Sequence, residues 1–453
     1  MPSSFARSRR LAAFPCALIF LLLLTGARAA TPTDLATAWQ AARSFDAGFF
    51  AARAADVAAQ EKKAQGDALL APQLALTTSA TESWQRATAQ GVAPAAGAQA
   101  GQQYRAGLAL SKPLYDAGAS VTRAQLYKEA EQADVVFRQA EQDLMLRTAK
   151  AYYEVLVAAE SVNLVHTQKD AISQQRDLAK ESFDLGIMTA SDVNDANARL
   201  DTVLAAEIVA RNDLEAKQGV FRQLTGLDPA QLASLAADAA PVVPPAQSLQ
   251  EWLATAQAQN LAIRAVQLSV DIAHSEIERY TLRHSPVLSL VSSAGRLWDV
   301  GAIANGGSRD ATTSAAIGVQ LSIPLYDGGA RASRLRQAVA LEEQQRYTLD
   351  AARAETDRTT RLYFAAVRDS ALRVRALEQA RASSAAAVES TQLGREVGVR
   401  NTIDVLNAQQ AYYQTLLNLA SARYDHQFSR IQLAATAGTL DESVLRAAGA
   451  ATP

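Results

Sequence analysis

Pro113 and Pro324 occupy the same place in a junction that the chain uses twice, 211 positions apart: Lys112-Pro113-Leu114-Tyr115-Asp116-Ala117-Gly118 and Ile323-Pro324-Leu325-Tyr326-Asp327-Gly328-Gly329. In each copy an alternating, strand-like run meets the proline, crosses a turn holding Gly118 or Gly329, and enters a long stretch of helical pattern. The surrounding landmarks move with the junction. Pro72 through Trp84 maps onto Pro286 through Trp298, Tyr152-Tyr153 onto Tyr363-Phe364, and Leu185-Gly186…Asp192-Val193 onto Val397-Gly398…Asp404-Val405. A chance heptapeptide match would not bring its neighbours, so the chain is an internal duplication; two copies at so long a period exclude a solenoid.

The helical stretches set the scale of the molecule. From Ser120 to about Phe183 no Gly or Pro interrupts the chain, and Phe137, Ala140, Leu144, Ala151, Val155, Ala158, Val162 and Val165 step by helical or heptad intervals. At the helical rise this run is on the order of 95 Å long. No compact domain buries such a rod; it belongs in a bundle or coiled coil that projects well beyond one core. With only 22 Gly and 13 Pro in 453 residues, most of the remaining chain is expected to be helical too.

The expected organisation is a signal peptide at 1–30, a first repeat at 31–240, a connector at 241–248, a second repeat at 249–440 and a tail at 441–453. The first repeat holds a helix from Asp34 to about Leu70, strands at 74–84 and 102–113, a long helix at 120–183 and a helix at 190–225 capped by Ser191 or Thr189. The second holds a helix at 249–283, strands at 287–298 and 312–324, a long helix at 330–396 and a helix at 402–437. Gly186 and Gly398 mark the reversals between the paired helices of each repeat.

The first residues read as an export signal: Arg7, Arg9 and Arg10 precede an apolar core from Leu11 to Leu24, and Ala27-Arg28-Ala29 forms a small-x-small cleavage site. An uncleaved anchor is the alternative, but the apolar run falls short of the ~20 residues a spanning helix needs. The one cysteine, Cys16, lies inside this leader, so no disulfide is expected in the exported chain. No later segment has the length of apolar run a spanning helix needs, so a membrane crossing by this chain would use β-strands.

Net charge is -2 and no Lys/Arg block follows the leader, which argues against nucleic acid as a partner. His166, His274, His284 and His426 are scattered without H-E-x-x-H spacing, and neither G-x-S-x-G nor a phosphate-binding loop occurs. No catalytic residue, metal site or cofactor is expected, and the chain does not read as an enzyme.

Four strands of about 10 residues each have the length that crosses a bilayer when tilted. They cannot close a barrel alone, since practical barrels begin at about eight strands. An open sheet edge in hydrocarbon leaves backbone groups unsatisfied at several kcal/mol each, so closure calls for further copies of the chain. Two copies would make a plugged eight-strand barrel and three a twelve-strand barrel with a lumen, prolonged by the long helices into a tube. The reading is mainly α with a membrane β-barrel portion, forming an outer-membrane duct. A periplasmic coiled-coil adaptor or scaffold without a barrel is the competing reading; matched spanning hairpins argue against it.

The junctions, together with Phe183-Asp184-Leu185-Gly186…Ser191-Asp192-Val193…Asp201-Thr202-Val203-Leu204, Val397-Gly398-Val399-Arg400…Asp404-Val405-Leu406 and Gly438-Thr439-Leu440, resemble the TolC family of outer-membrane exit ducts over essentially the whole mature chain. The resemblance implies a homotrimer in outer-membrane lipid, a 12-stranded barrel, and an α-barrel tunnel of antiparallel helices in the periplasm. It also implies docking with a periplasmic adaptor (membrane fusion) protein and an inner-membrane ABC or proton-driven transporter, for type I secretion of proteins or efflux of small toxic compounds. That likeness and the lack of a lipidation cysteine lean towards a protein-secretion or shared-use duct.

In that family the periplasmic mouth is closed at the helix-turn-helix tips. By resemblance, Arg400 would reach Asp192 and Ser191, and Asp404 would line the constriction. The family's second ring acid falls on Asn407, so cation binding at the mouth is expected to be weaker. Arg395 stands at the latch tyrosine's position, where it could pair with Asp192. By residue type alone, Arg400, Asp192 and Asp404 read as solvated capping charges at helix ends.

Overall fold

A computed structural model describes residues 33–86, 98–234, 247–281, 285–301 and 309–449. The expected signal peptide with Cys16, most of the stretch between the strands expected at 74–84 and 102–113, most of the connector, the last residues of the 249–283 helix with His284, and the end of the tail lie outside the described residues.

The chain begins with α1 (Leu35–Arg43) and α2 (Ala47–Ala68) where one helix was expected. No Pro marks the break, and Gly48 lies inside α2. Asp46 makes it, accepting from the Phe49 N–H at 2.9 Å to cap α2 and from the Arg147 guanidinium at 3.0 Å. Two tertiary anchors on one carboxylate thus override the local helical preference of an Ala-rich run. The second repeat breaks in the same part of its pattern. Asn260 ends α5 (Leu249–Gln259), caps α6 (Leu261–Thr281) through its side-chain oxygen, and donates to the Thr436 carbonyl at 2.8 Å.

Strands β1 (Gln73–Arg86), β2 (Ala98–Asp116), β3 (Val287–Gly301) and β4 (Arg309–Ser322) form one antiparallel sheet in chain order. They are longer than the expected strands, at 14, 19, 15 and 14 residues. Apolar alternation marks only the part of a strand that has an apolar surrounding, while the hydrogen-bond ladder continues past it. The two hairpins pair with each other through β2 and β3, which leaves β1 and β4 as the edges.

Helix α3 (Ala117–Asp184) has 68 residues and α7 (Ala330–Glu396) has 67, each about 100 Å long. Each reverses at its tip into a shorter partner, α4 (Ala190–Thr225) and α8 (Thr402–Thr436). α3 packs along α2, α4, α6 and α8, and α7 along α6 and α8. Part of the 441–453 tail forms a helix, α9 (Glu442–Gly449), capped by Asp441 at the Val444 N–H. Eight residues are too few to show periodicity, which is why the sequence alone reads as a tail there.

The main core lies midway along the rods. Leu35, Trp39, Leu144, Tyr152, Tyr153, Phe221, Ile431 and Leu445 are buried together there, from α1, α3, α4, α8 and α9. The first and last described helices, α1 and α9, and both repeats therefore meet in one cluster. Tyr152 and Tyr153 act as packing residues; the Tyr152 hydroxyl donates to the Ala233 carbonyl at 2.7 Å.

Candidate functional site

The sheet has two chemically different faces. Register places Leu74, Leu76, Leu108, Leu110, Leu288, Leu290, Ile317, Val319 and Leu321 on one side. Thr77, Ser79, Thr81, Gln103, Arg105, Asp299 and Gln320 alternate onto the other. The Gln103 amide donates to Asp299 across β2 and β3 at 3.0 Å. The apolar face is bare: Leu76 is 70% and Ile317 76% exposed. Toward the loop end, Tyr104 pairs with Trp298, whose ring carries the Arg296 guanidinium at 5.5 Å, and Trp84 is exposed. Aromatic rings at the border of an apolar band are the pattern of a membrane interface.

The two junctions use the same aspartate in different backbones. Pro113 stays within β2 opposite Ser289, and the ladder slips at Leu114 before resuming at Tyr115 and Asp116. Asp116 then accepts from the Ala119 N–H at 2.8 Å, which caps α3 with Gly118 already inside the helix. In the second copy β4 stops at Ser322, so Pro324 lies beyond it. Asp327 accepts from the Gly329 and Arg331 N–H groups, and Gly328 and Gly329 turn with positive φ. The difference follows from position. Both ladders end on Val287, the first residue of β3: Asp116 pairs with it in one and Ser322 in the other, so the register leaves Pro324 two residues past the last paired position.

At the tips the repeats converge again. The Ile187 and Met188 N–H groups donate to the Ser182 carbonyl, and those of Val399 and Arg400 to the Gly394 carbonyl. Gly186 and Gly398 supply the positive φ of +76° and +79° that these closures require. Thr189, not Ser191, caps α4 in a reciprocal box with Asp192, and Asn401 with Asp404 does the same for α8. Arg400 lies 3.9 Å from Asp404. Within one chain the partners of Arg400 therefore do not include Asp192 or Ser191, and Arg395 makes no ion pair with Asp192. Asn407 is exposed and accepts from Arg199 at 2.6 Å.

Two features of the tips are invisible in the sequence. Leu185, Ile187, Val397 and Val399 are all more than two-thirds exposed, an apolar cap on charged rods. Arg199 on α4 reaches both Asn407 and Gln410 on α8. No motif flags either one; exposure and helix juxtaposition are tertiary facts. Elsewhere on the rods, Lys169, His166 and Arg211 surround Glu207 and hold its carboxyl below the usual range, Lys169 foremost. Among the described residues no group of three or more His, Cys, Asp or Glu could hold a metal ion. Among them, too, no helix is long and apolar enough to cross a membrane.

A four-stranded sheet with one bare apolar face, continuous with paired rods of about 100 Å, defines a subunit of a membrane channel with a long helical extension. The chain belongs to the outer membrane efflux protein family, whose model matches residues 39–227 and again 252–439. It is 34% identical to the outer membrane protein TolC of Vibrio cholerae over 74% of this chain and 77% of that one. The alkaline protease secretion protein AprF of Pseudomonas aeruginosa is 31% identical over 76% and 71%. The proteases secretion protein PrtF of Dickeya chrysanthemi is 29% identical over 94% and 92%. In fold it is similar to the Campylobacter jejuni CmeC outer membrane channel, with a TM-score of 0.76 at 15% identity over 93% of this chain and 90% of that one. The Neisseria gonorrhoeae MtrE channel in its open state gives 0.72 at 17%, over 91% of each chain. The protein is an outer-membrane exit duct with its helical tunnel in the periplasm, and it is not an enzyme.

Proposed function

We propose that three copies assemble into a 12-stranded barrel in outer-membrane lipid, and that the tunnel docks with a periplasmic adaptor protein and an inner-membrane transporter to export proteins. One observation carries the closed ring: the sheet ends in two unpaired edges, β1 and β4, with an exposed apolar face between them, and three copies is the count at which the ring keeps a lumen. In lipid those edges must pair, and β4 of one copy meeting β1 of the next closes a ring with a polar interior. The two edges are different strands, so the contact is head-to-tail and rotational.

Docking is supported by Leu185, Ile187, Val397 and Val399 at the tips, since exposed apolar side chains at the end of a charged rod suit a protein partner. Protein cargo is favoured by the likeness to AprF and PrtF, both named for protease secretion. An ABC transporter fits that route; efflux of small compounds with a proton-driven pump is the second reading, favoured by the likeness to the efflux protein BepC of Brucella suis. Arg400, Asp192, Ser191, Asp404, Asn407 and Arg395 form the closable mouth in this reading, with Arg400 linking to the first-repeat acids of an adjoining copy. Fractionation and planar-bilayer recording test the proposal together. Heat-dissociable trimers in the outer-membrane fraction that conduct ions support it; recovery as a soluble periplasmic monomer refutes it.

A further inference from the structure

We infer that Arg105 sets the charge preference of the barrel lumen: one guanidinium from each copy makes a positive collar, narrower than the rest of the barrel, that favours anionic groups over cationic ones. The inference rests on the duct reading, since it needs the polar face of the sheet to line a lumen shared by three copies. On that face Arg105 stands apart in two respects. Among the described residues it is the one cation there, and its side chain is the longest. Its exposed side chain shares a row with Ser79, Leu297 and Thr312. The next row toward the helices holds Thr77, Gly107, Gly295 and Ser314, none of which reaches far from the wall.

The row on the loop side carries the opposite sign. Asp299 lies opposite Gln103 on one side and Asp310 on the other. Asp299 accepts from the Gln103 amide at 3.0 Å, and Asp310 from the Ala311 N–H at 2.8 Å, and neither acid forms an ion pair with Arg105. Reach decides which sign wins where. Twelve strands about 4.8 Å apart and tilted by about 40° make a wall of about 12 Å radius. An inward arginine brings its guanidinium to within about 8 Å of the axis, the Debye length at physiological salt, so a charge on any path through the lumen feels it. The shorter aspartates stay near the wall, about 5 Å further out along the barrel. The potential therefore changes sign along the lumen, negative at the outer row and positive from the Arg105 collar inward, and the apolar surroundings of the wall strengthen both.

Thiol labelling from outside the cell tests this without depending on the state of the periplasmic mouth. The one cysteine, Cys16, lies in the expected leader, so Thr77→Cys and Ser83→Cys serve as lone reporters. Thr77 is two residues from Ser79, the partner of Arg105, on the helix side of the collar; Ser83 lies beyond the acidic row on the loop side. Each reporter is reacted with a sulfonate-bearing and a trimethylammonium-bearing methanethiosulfonate. Arg105→Gln lowers the anionic-to-cationic rate ratio at Thr77→Cys at least about threefold and moves it far less at Ser83→Cys, because the field falls off within a Debye length. Arg105→Lys, which keeps the charge, holds the ratio near that of the parent. An unchanged ratio at Thr77→Cys in Arg105→Gln, or an equal fall at both reporters, overturns the collar while leaving the duct intact. Failure of both reporters to react with either reagent overturns the duct reading itself.

Discussion

Gly107 of β2 lies directly opposite Gly295 of β3, at the seam where the two duplicated hairpins join into one sheet. A Cβ on residue 295 would stand 3.0 Å from the Ala106 carbonyl oxygen and 3.1 Å from the Gly107 Cα. Both contacts are backbone, which cannot swing aside. The strands approach this closely because neither residue carries a side chain on the polar face, and a missing side chain on the inner face lets a sheet curl.

Gly295→Val is accordingly expected to destabilise the seam by about 1–3 kcal/mol, the usual range for forcing extra methyl groups into a filled space. A lowered dissociation temperature of the assembled protein checks it.

The two faces of the sheet should respond oppositely to charge. Leu108→Arg places a guanidinium on the apolar face near the middle of β2, where burial in hydrocarbon costs about 2–4 kcal/mol. Thr77→Arg, on the opposite face, should be tolerated. Outer-membrane yield falls for Leu108→Arg and holds for Thr77→Arg; equal yields would contradict the assignment of the faces.

Arg400→Ser removes the tip guanidinium without touching the barrel, and should raise single-channel conductance by about twofold or more if that charge helps close the mouth. Asp192→Ala should do likewise. It also loses half of the capping box with Thr189, about 1 kcal/mol at the start of α4. Conductance at the wild-type level in both variants removes these residues from the gate.

Acid should weaken the α7–α8 pair through His426. The ring is buried, its Nδ1 lies 2.8 Å from the Ser370 hydroxyl, and burial, with the Arg430 charge adding to it, pulls its pKa down to about 4. Folding thus favours the neutral ring. The stability is fully present above the unfolded value of about 6.5 and is lost as pH falls toward 4, the loss reaching about 3 kcal/mol at the acid end. Thermal unfolding followed from pH 7 to 4 should show this slope in the wild type and a shallower one in His426→Gln.

The sequence was most legible where a residue's role is local. Gly186 and Gly398 announce the reversals, and Thr189 one of the helix caps, because each acts on its own few bonds of backbone; Pro113 did not end its strand, because β3 goes on pairing with β2 beyond it. The breaks at Asp46 and Asn260 were not legible, since a helix start decided by a contact with α3 or α8 leaves no proline behind. Arg199 was missed for the same reason: its acceptors lie more than 200 positions away.

The order of residues by itself determined the duplication, the rods, the alternating strands and the need for partners, because periodicity and turn chemistry are properties of neighbours along the chain. Only the tertiary structure decided that the two hairpins pair through β2 and β3, that β4 is left as an edge, and which side chains tie one rod to the next. Those outcomes depend on distances between segments that the backbone brings together after folding, and no local pattern encodes them.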